Sequence, residues 1–234
     1  MTIISIHQPN YLPWLGFFYK MIISDVFVIL DDAEYSKNCF INRNKIKTPQ
    51  GWTWLSLPVQ FKQGQLINQV KLASNIKWDI KHWKAIENSY SKYPFFDKYA
   101  HYFKTIYNKK SISLSELNTE IIKIIIKILD IDTEIIISSD LNIKTKNVQR
   151  LIDICNKLNG TTYIAGGLSK NYLDEDLFKK NNIKLVYQDY IHPTYTQRFG
   201  NFEPYMSIID LIFNYGPDTQ KILLKNNLKK QDLK

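Results

Sequence analysis

Polar residues that could do chemistry follow short apolar runs of the sequence. His7 comes directly after the first run, and Asp31 and Asp32 come directly after the second. An imidazole beside carboxylates is suited to general base catalysis, because the carboxylates hold its pKa near neutrality or raise it. Gly166 and Gly167 follow a later run, and their backbone N–H groups could bind a developing oxyanion. The spacing therefore predicts a catalytic site built from loops that follow strands.

A second candidate base and a set of binding side chains accompany these residues. His192 precedes Pro193, which keeps its backbone extended and could present its ring to His7 across a cleft. Residues 42–45 could hold an anionic group, such as a nucleotide phosphate, by charge-assisted hydrogen bonds. The predicted substrate-binding residues are Gln8, Asn10, Tyr11, Tyr35, Asn42, Arg43, Asn44, Lys45, Gly166, Gly167, Tyr195 and Gln197. Turn capping, an exposed loop or a buried hydrogen-bond network would explain the same residues without a function.

The elements that must position these residues alternate between strand and helix. Residues 2–6 predict a strand, residues 15–23 an apolar helix and residues 26–30 a buried strand. A helix between two strands implies a crossover and a parallel pair, so His7 and Asp31 should emerge at the same edge of the sheet. Further strands are predicted at residues 52–59, 68–72, 134–138, 161–164 and 183–187. The predicted fold class is α/β, with a mainly parallel, Rossmann-like sheet.

The middle of the chain has a helical pattern of its own. Trp78, His82, Ile86 and Tyr90 recur every four residues, which places them on one face of a helix. Two further helices are predicted at residues 97–108 and 115–129, the latter with Ser113 and a glutamate three residues later as its cap. We expect one domain over residues 1–234, with a helical insert at about 76–130.

Composition excludes several classes of protein. The net charge is +9, but only three of the 31 cationic side chains are arginine, the residue that most often reads base edges. We therefore expect no nucleic-acid partner. Two cysteines make neither a disulfide framework nor a zinc spacing, so we expect a reducing cytoplasm and no metal site. No run reaches the roughly 20 apolar residues of a membrane span.

Several stretches of the sequence together resemble the WbqC-like protein family. They are HQPNYLPWLGFFYKM (7–21), the run at 25–32, YSKNCFINRNKIK (35–47), TTYIAGG (161–167) and HPTYTQRFGNFEPYMSIIDLIFNYG (192–216). The resemblance covers nearly the whole chain. It implies a bacterial protein of O-antigen, lipopolysaccharide or other surface-polysaccharide biosynthesis. It also implies a transferase that attaches an acyl or aminoacyl group to an amino sugar, with a nucleotide sugar as substrate and an activated acyl donor.

Other functions are compatible with the same sequence. The protein could be a non-catalytic scaffold or binding protein of polysaccharide assembly. It could also be a nucleotidylyl- or amide-forming enzyme, since a strand, a loop beginning with histidine, a helix and a strand open such nucleotide-binding folds. The sequence leaves open whether His7 or His192 is the base, and whether the protein forms homo-oligomers.

Overall fold

A computed structural model describes residues 1–171 and 173–233 as nine named strands and eight α-helices. The strands are β1 (Ile3–His7), β2 (Val26–Ile29), β3 (Arg43–Thr48), β4 (Gly51–Ser56), β5 (Val59–Gln60), β6 (Lys71–Leu72), β7 (Glu134–Ile137), β8 (Thr162–Ala165) and β9 (Lys184–Tyr187). The helices are α1 (Leu15–Ile22), α2 (Trp78–Tyr90), α3 (Phe96–Asn108), α4 (Leu114–Leu129), α5 (Asn147–Lys157), α6 (Glu175–Lys180), α7 (Ile208–Tyr215) and α8 (Thr219–Leu223).

Five parallel strands form the central sheet, in the order β7-β2-β1-β8-β9. The chain starts in the middle at β1, moves outward through β2 to β7, and then returns to the other side of β1 to form β8 and β9. The direction of strand addition thus reverses between β1 and β8, and open α/β sheets bind ligands beside such a reversal. The predicted α/β class with a Rossmann-like parallel sheet is confirmed.

Both faces of this sheet are covered by helices, which explains why its strands are almost entirely apolar. Successive side chains point to opposite faces of a strand, so Ile3 packs with α1 and α4 while Ile4 packs with α5 and α6. Helices α2, α3 and α4 lie between β6 and β7 in the sequence and extend the core on the α1 face through residues such as Phe103 and Ile121. Among the described residues, no helix combines the length and the apolar character needed to cross a bilayer.

The predicted cap of α4 is present, since the Ser113 hydroxyl accepts a hydrogen bond from the Glu116 backbone N–H at 3.3 Å. Two predicted strands differ in extent from the structure. The predicted strand at residues 52–59 is divided between β4 and β5, and β6 occupies only the end of residues 68–72.

No strand was predicted at residues 42–45, for which an exposed loop was the alternative to a binding role, but most of them lie in β3, which pairs antiparallel with β4. The sequence signal for this strand is weak because its buried face carries Asn44 beside Ile46, and asparagine is uncommon in strands. The Asn44 side chain is satisfied there, since its amide donates to the Leu12 carbonyl at 2.6 Å and its oxygen accepts from the Lys45 N–H.

Candidate functional site

His7 and Asp31 do emerge at the same edge of the sheet, as the parallel pairing predicted. His7 pairs with Ile29 in the β1–β2 register, and the Leu30 N–H donates to the His7 carbonyl at 2.8 Å. Their side chains have separate partners, however. The carboxyl edge of the sheet therefore presents two neighbouring polar centres instead of one histidine–aspartate pair.

His7 retains one ring nitrogen for chemistry. Its Nδ1 donates to the Gln8 carbonyl at 2.9 Å, because a carbonyl can only accept, and this leaves Nε2 as the unprotonated nitrogen. Burial, and secondarily the positive charge of Lys20, lowers the pKa of His7 to about 4. The ring, which contacts the edge of Phe17 at 4.9 Å between centroids, is therefore neutral at pH 7.

His192 has both ring nitrogens occupied. Its Nε2 accepts from the Tyr205 N–H at 3.2 Å, which requires the proton to be on Nδ1, and Nδ1 donates to the Pro193 carbonyl at 2.9 Å. The ring packs against four aromatic residues: Tyr190, Tyr195, Phe202 and Tyr205. In the described part of the chain His192 makes no ring contact with His7. Of the two predicted bases, His7 is the better suited.

Asp31 ties together three segments at the end of β2. Its carboxylate accepts from the backbone N–H of Ser139 at 2.9 Å, from the Ser139 hydroxyl at 2.8 Å and from the Asn68 amide at 3.3 Å. Both oxygens thus have donors, and the side chain is buried. Asp31 therefore positions the residues around it. The sequence did not predict a role for Asn68 or Ser139.

The three segments held by Asp31 border a cleft of about 730 Å³ at the carboxyl ends of β2 and β7. We call it the polar cleft. Every lining residue except Ile137 carries a hydroxyl, amide, carboxylate or ammonium group, and three carboxylates face one ammonium group. The lining residues are Asp31, Asn68, Gln69, Ser113, Ser115, Glu116, Thr119, Glu120, Lys123, Ile137 and Ser139. Such a surface favours a polyhydroxylated ligand that carries a positive charge.

Asp32 lies beside the polar cleft and forms an ion pair with Arg150 at the start of α5. Arg150 also donates to the Asp32 carbonyl at 3.2 Å and to the Ser138 hydroxyl at 3.3 Å. The pair is largely buried, and its Asp32 Oδ1 and Arg150 Nε atoms have no partner among the described residues. Asp32 is therefore engaged by an arginine that is distant in sequence, which sequence reasoning missed.

The hairpin of β3 and β4 carries the predicted phosphate-binding cations. The Arg43 guanidinium lies 4.4 Å from the centroid of the Trp54 ring, and the Lys45 ammonium lies 4.5 Å from that of Trp52. Trp52 is 41% exposed. The hairpin thus presents a cationic and aromatic face, whose role in phosphate binding remains a prediction. Asn42 points inward, where its amide donates to the Leu57 carbonyl at 3.2 Å.

Tyr195 and Gln197 belong to a buried network around Asp210 on α7. The Tyr195 hydroxyl and the Gln197 amide each donate to the Asp210 carboxylate at 2.9 Å. Burial raises the pKa of Asp210 to about 6. These two residues thus have a structural explanation. The sequence could have identified Asp210 as an unusual buried residue, because it is the lone charge in the apolar run of residues 206–213.

Tyr11 fixes the loop after β1 to the helical region. Its buried hydroxyl lies 2.8 Å from Nδ1 of His82 on α2 and 2.6 Å from the Tyr107 hydroxyl on α3. Asn10 and Tyr35 are also buried, and burial raises the pKa of Tyr35 to about 12. The Tyr35 hydroxyl has no partner among the described residues. These three predicted binding residues therefore lie mainly in the protein interior and not at an open site.

We expect Tyr11→Phe to lower the free energy of unfolding by about 1–3 kcal/mol, because it leaves buried polar atoms of His82 and Tyr107 without a partner. Urea denaturation followed by tryptophan fluorescence measures this change. Tyr102→Phe is the matched control, since Tyr102 is only half-buried on α3, and its effect should stay within about 0.5 kcal/mol. Equal effects of the two substitutions would contradict the anchoring role of Tyr11.

Comparisons with known proteins match most of the chain and name no activity. The model of the WbqC-like protein family matches residues 8–222. A protein of Mycobacterium tuberculosis (strain ATCC 25618 / H37Rv), described as "Uncharacterized protein Rv1507c", is 35% identical over 227 residues, which are 95% of this chain and 98% of that protein. No solved structure matches the chain.

Proposed function

Because the chain belongs to the WbqC-like protein family, we propose that it is a cytoplasmic transferase of bacterial surface-polysaccharide biosynthesis. In this proposal it attaches an acyl or aminoacyl group to a nucleotide-linked amino sugar, as in the biosynthesis of O-antigen. The observation that carries the proposal is the polar cleft at the carboxyl ends of β2 and β7, with His7 at the end of the neighbouring strand β1. Ligands of open α/β sheets bind outside the carboxyl ends of the strands.

The lining of the polar cleft supports an amino sugar as the acceptor. Sugar hydroxyls both donate and accept hydrogen bonds, and the lining offers both kinds of group through Ser115, Thr119 and Asn68. The carboxylates of Glu116 and Glu120 favour an ammonium group over a neutral hydroxyl at the same position of the sugar. Glu120 is already paired with Lys109, which leaves Glu116 as the exposed carboxylate.

His7 is the proposed general base. The bound ammonium group first loses one proton to solvent. The neutral amine nitrogen then attacks the carbonyl carbon of the activated donor, and a C–N bond forms as the bond to the leaving group breaks. The nitrogen gains positive charge during this attack, so its proton becomes acidic enough to pass to Nε2 of a neutral imidazole. His7 meets this requirement because its Nδ1 carries the ring proton and its pKa of about 4 keeps it neutral.

The test is binding and turnover of a panel of sugar nucleotides that differ only in an amino or a hydroxyl group. We expect tighter binding of the amino sugar, and we expect Glu116→Gln to reduce that preference by about twofold to fivefold, the range for an exposed charge pair. Isothermal titration calorimetry measures both affinities. Glu87→Gln on α2, which removes an exposed carboxylate outside the polar cleft, should leave the preference unchanged.

Two results would contradict this function. Equal affinity for amino and hydroxy sugars would remove the amino sugar as acceptor. Binding of sugar nucleotides without any turnover by a range of acyl and aminoacyl donors would leave a binding protein of polysaccharide assembly instead of a transferase.

A further inference from the structure

The hydrogen bonds between β1 and β8 stop before β1 itself ends. The Thr2 carbonyl accepts from the backbone N–H groups of Thr161 and Thr162, at 2.9 and 3.2 Å, so even-numbered carbonyls of β1 point toward β8. The last paired residues are Ser5 and Ile164. The next rung would join the Gly166 N–H to the Ile6 carbonyl. The strands separate before that rung forms.

Lys20 of α1 occupies the position of the missing rung. Its ammonium donates to the Ile6 carbonyl at 2.9 Å and lies 5.9 Å from the centroid of the Tyr163 ring, which packs on the opposite face of the sheet. The Lys20 side chain therefore passes from the helix layer into the gap between the two strands. The separation of β1 and β8 gives it the room to do so.

The ammonium of Lys20 is buried without a counter-charge. Lys20 is 2% exposed, and no carboxylate in the described part of the chain lies within 4.0 Å of it. A buried cation is costly unless an anion or several hydrogen bonds compensate it. The Ile6 carbonyl accepts from one of the three N–H donors of the Lys20 ammonium, and the other two have no acceptor among the described residues.

One backbone donor, the Gly166 N–H, faces the same gap, and the Gly167 N–H follows it in the chain. The N–H groups of Gly166 and Gly167 donate to no residue that the structure describes. Gly167 is exposed, and a Cβ added there would lie only 3.1 Å from the Gln188 carbonyl. We call Ile6, Lys20, Gly166 and Gly167 the strand fork. It combines a cation and two amide donors that have no described anionic partner or acceptor, apart from the Ile6 carbonyl bonded to Lys20.

We propose that the strand fork binds the diphosphate of the nucleotide sugar, through the Lys20 ammonium and the N–H groups of Gly166 and Gly167. The identity of the ligand rests on the proposed function. The location agrees with the rule that ligands bind where the strand order reverses, between β1 and β8. Phosphate oxygens match the fork because they accept from a lysine and from backbone amides at once.

The distance to the polar cleft fits a single ligand. The fork lies between β1 and β8, and the cleft lies at the ends of β2 and β7, two strand spacings away, or about 10 Å. One sugar nucleotide can therefore place its diphosphate in the fork and its sugar in the cleft, with His7 between them at the end of β1. The glycine N–H groups then bind phosphate instead of the acyl oxyanion.

The test is titration of the full-length protein with inorganic pyrophosphate by calorimetry. We expect Lys20→Met to weaken binding at least tenfold, and the exposed-lysine control Lys84→Met to change it by less than twofold. In parallel, ¹⁵N-glycine labelling gives signals from the eight glycines, of which Gly166 and Gly167 should shift on addition of pyrophosphate while Gly51 and Gly64 should not. The spectra also report whether Lys20→Met is folded.

Two further measurements, one with another variant and one with another anion, could overturn the proposal. A loss of pyrophosphate binding in Arg43→Ala, with normal binding by a folded Lys20→Met, would overturn the proposal and assign the phosphate to the β3–β4 hairpin. Acetate that shifts Gly166 and Gly167 when pyrophosphate does not would overturn it in favour of a carboxylate. The result is independent of the transferase test, since pyrophosphate binding at the fork can be present without turnover, and turnover can persist without it.

Discussion

Replacing His7 by alanine is expected to lower turnover of the sugar nucleotide by about 10²- to 10⁴-fold, the usual contribution of a general base. The reason is structural as well as chemical. His7 ends β1, its Nδ1 is held by the Gln8 carbonyl, and its Nε2 is the unprotonated nitrogen. The amine acceptor would then have to lose its proton to water. Single-turnover measurements of kcat with the amino sugar nucleotide and its donor provide the comparison.

Two other histidine variants make this prediction specific. His101→Ala removes an exposed ring on α3 and should leave kcat unchanged. His192→Ala should alter kcat far less than His7→Ala, because both ring nitrogens of His192 already bond to the backbone. A loss in His192→Ala as large as that in His7→Ala would show that the second histidine is also required. Full activity of His7→Ala would remove His7 from the mechanism.

The pH profile gives an independent signature of the same group. Burial and the charge of Lys20 lower the pKa of His7 to about 4, so the ring is a competent base above that pH. We therefore expect the ratio of kcat/KM between the wild-type protein and His7→Ala, in which the ionisation of the amine acceptor cancels, to fall near pH 4 and to stay level from about pH 5 to 7. In Lys20→Met the positive charge is absent, and this acid limb should move to higher pH.

The second large effect concerns the stability of the unliganded protein. Burial lowers the pKa of Lys20 to about 7, from the 10.5 of an exposed lysine. Each unit of such a shift corresponds to about 1.4 kcal/mol, so a protonated Lys20 costs the fold a few kcal/mol below pH 7. Lys20→Met removes this cost and leaves the Ile6 carbonyl unbonded, which costs about 1 kcal/mol. At pH 6 the variant should thus be more stable by a few kcal/mol.

The sign of the pH dependence follows from proton binding. Between about pH 7 and 10.5 the unfolded chain holds a proton on Lys20 that the folded protein has released, so raising the pH stabilises the wild-type protein. The advantage of Lys20→Met should therefore shrink through this range and vanish or reverse near pH 10. Urea denaturation at pH 6, 8 and 10 measures the difference, with Lys84→Met as the exposed control. An advantage that is independent of pH would mean that Lys20 has the same pKa in the folded and the unfolded protein, and would contradict the desolvation cost assigned to its burial.

Much of the fold follows from local patterns that the sequence displays. Short β-branched runs and the apolar helix after the first of them were enough to predict a parallel α/β sheet. The shared edge of His7 and Asp31 also followed, because a helical crossover makes consecutive strands parallel. The pattern failed at β3, where lysines and asparagines form a strand only through pairing with β4.

The candidate site was predicted less completely, and the reason lies in the partners of each side chain. Asp31, Asp32 and His192 were read as reactive groups, yet Ser139, Arg150 and the Tyr205 backbone occupy them. Those partners are 13 to 118 residues away in the sequence. Lys20 and Asp210 were overlooked, although each is a lone charge inside an apolar helix. A charged residue within the apolar face of a helix indicates a special environment as much as a polar loop does, because burying a charge is costly unless it has a partner.

The sequence by itself determined the class of the sheet, the family, and the edge at which polar residues accumulate. These depend on periodicity and local turns, which act over a few residues. Only the tertiary structure decided which polar groups are free to act. It showed that His7 keeps an open nitrogen, that Asp31 borders a polar cleft, and that Lys20 enters a gap between β1 and β8. Hydrogen bonding and desolvation depend on groups brought together from distant positions, and no local pattern records them.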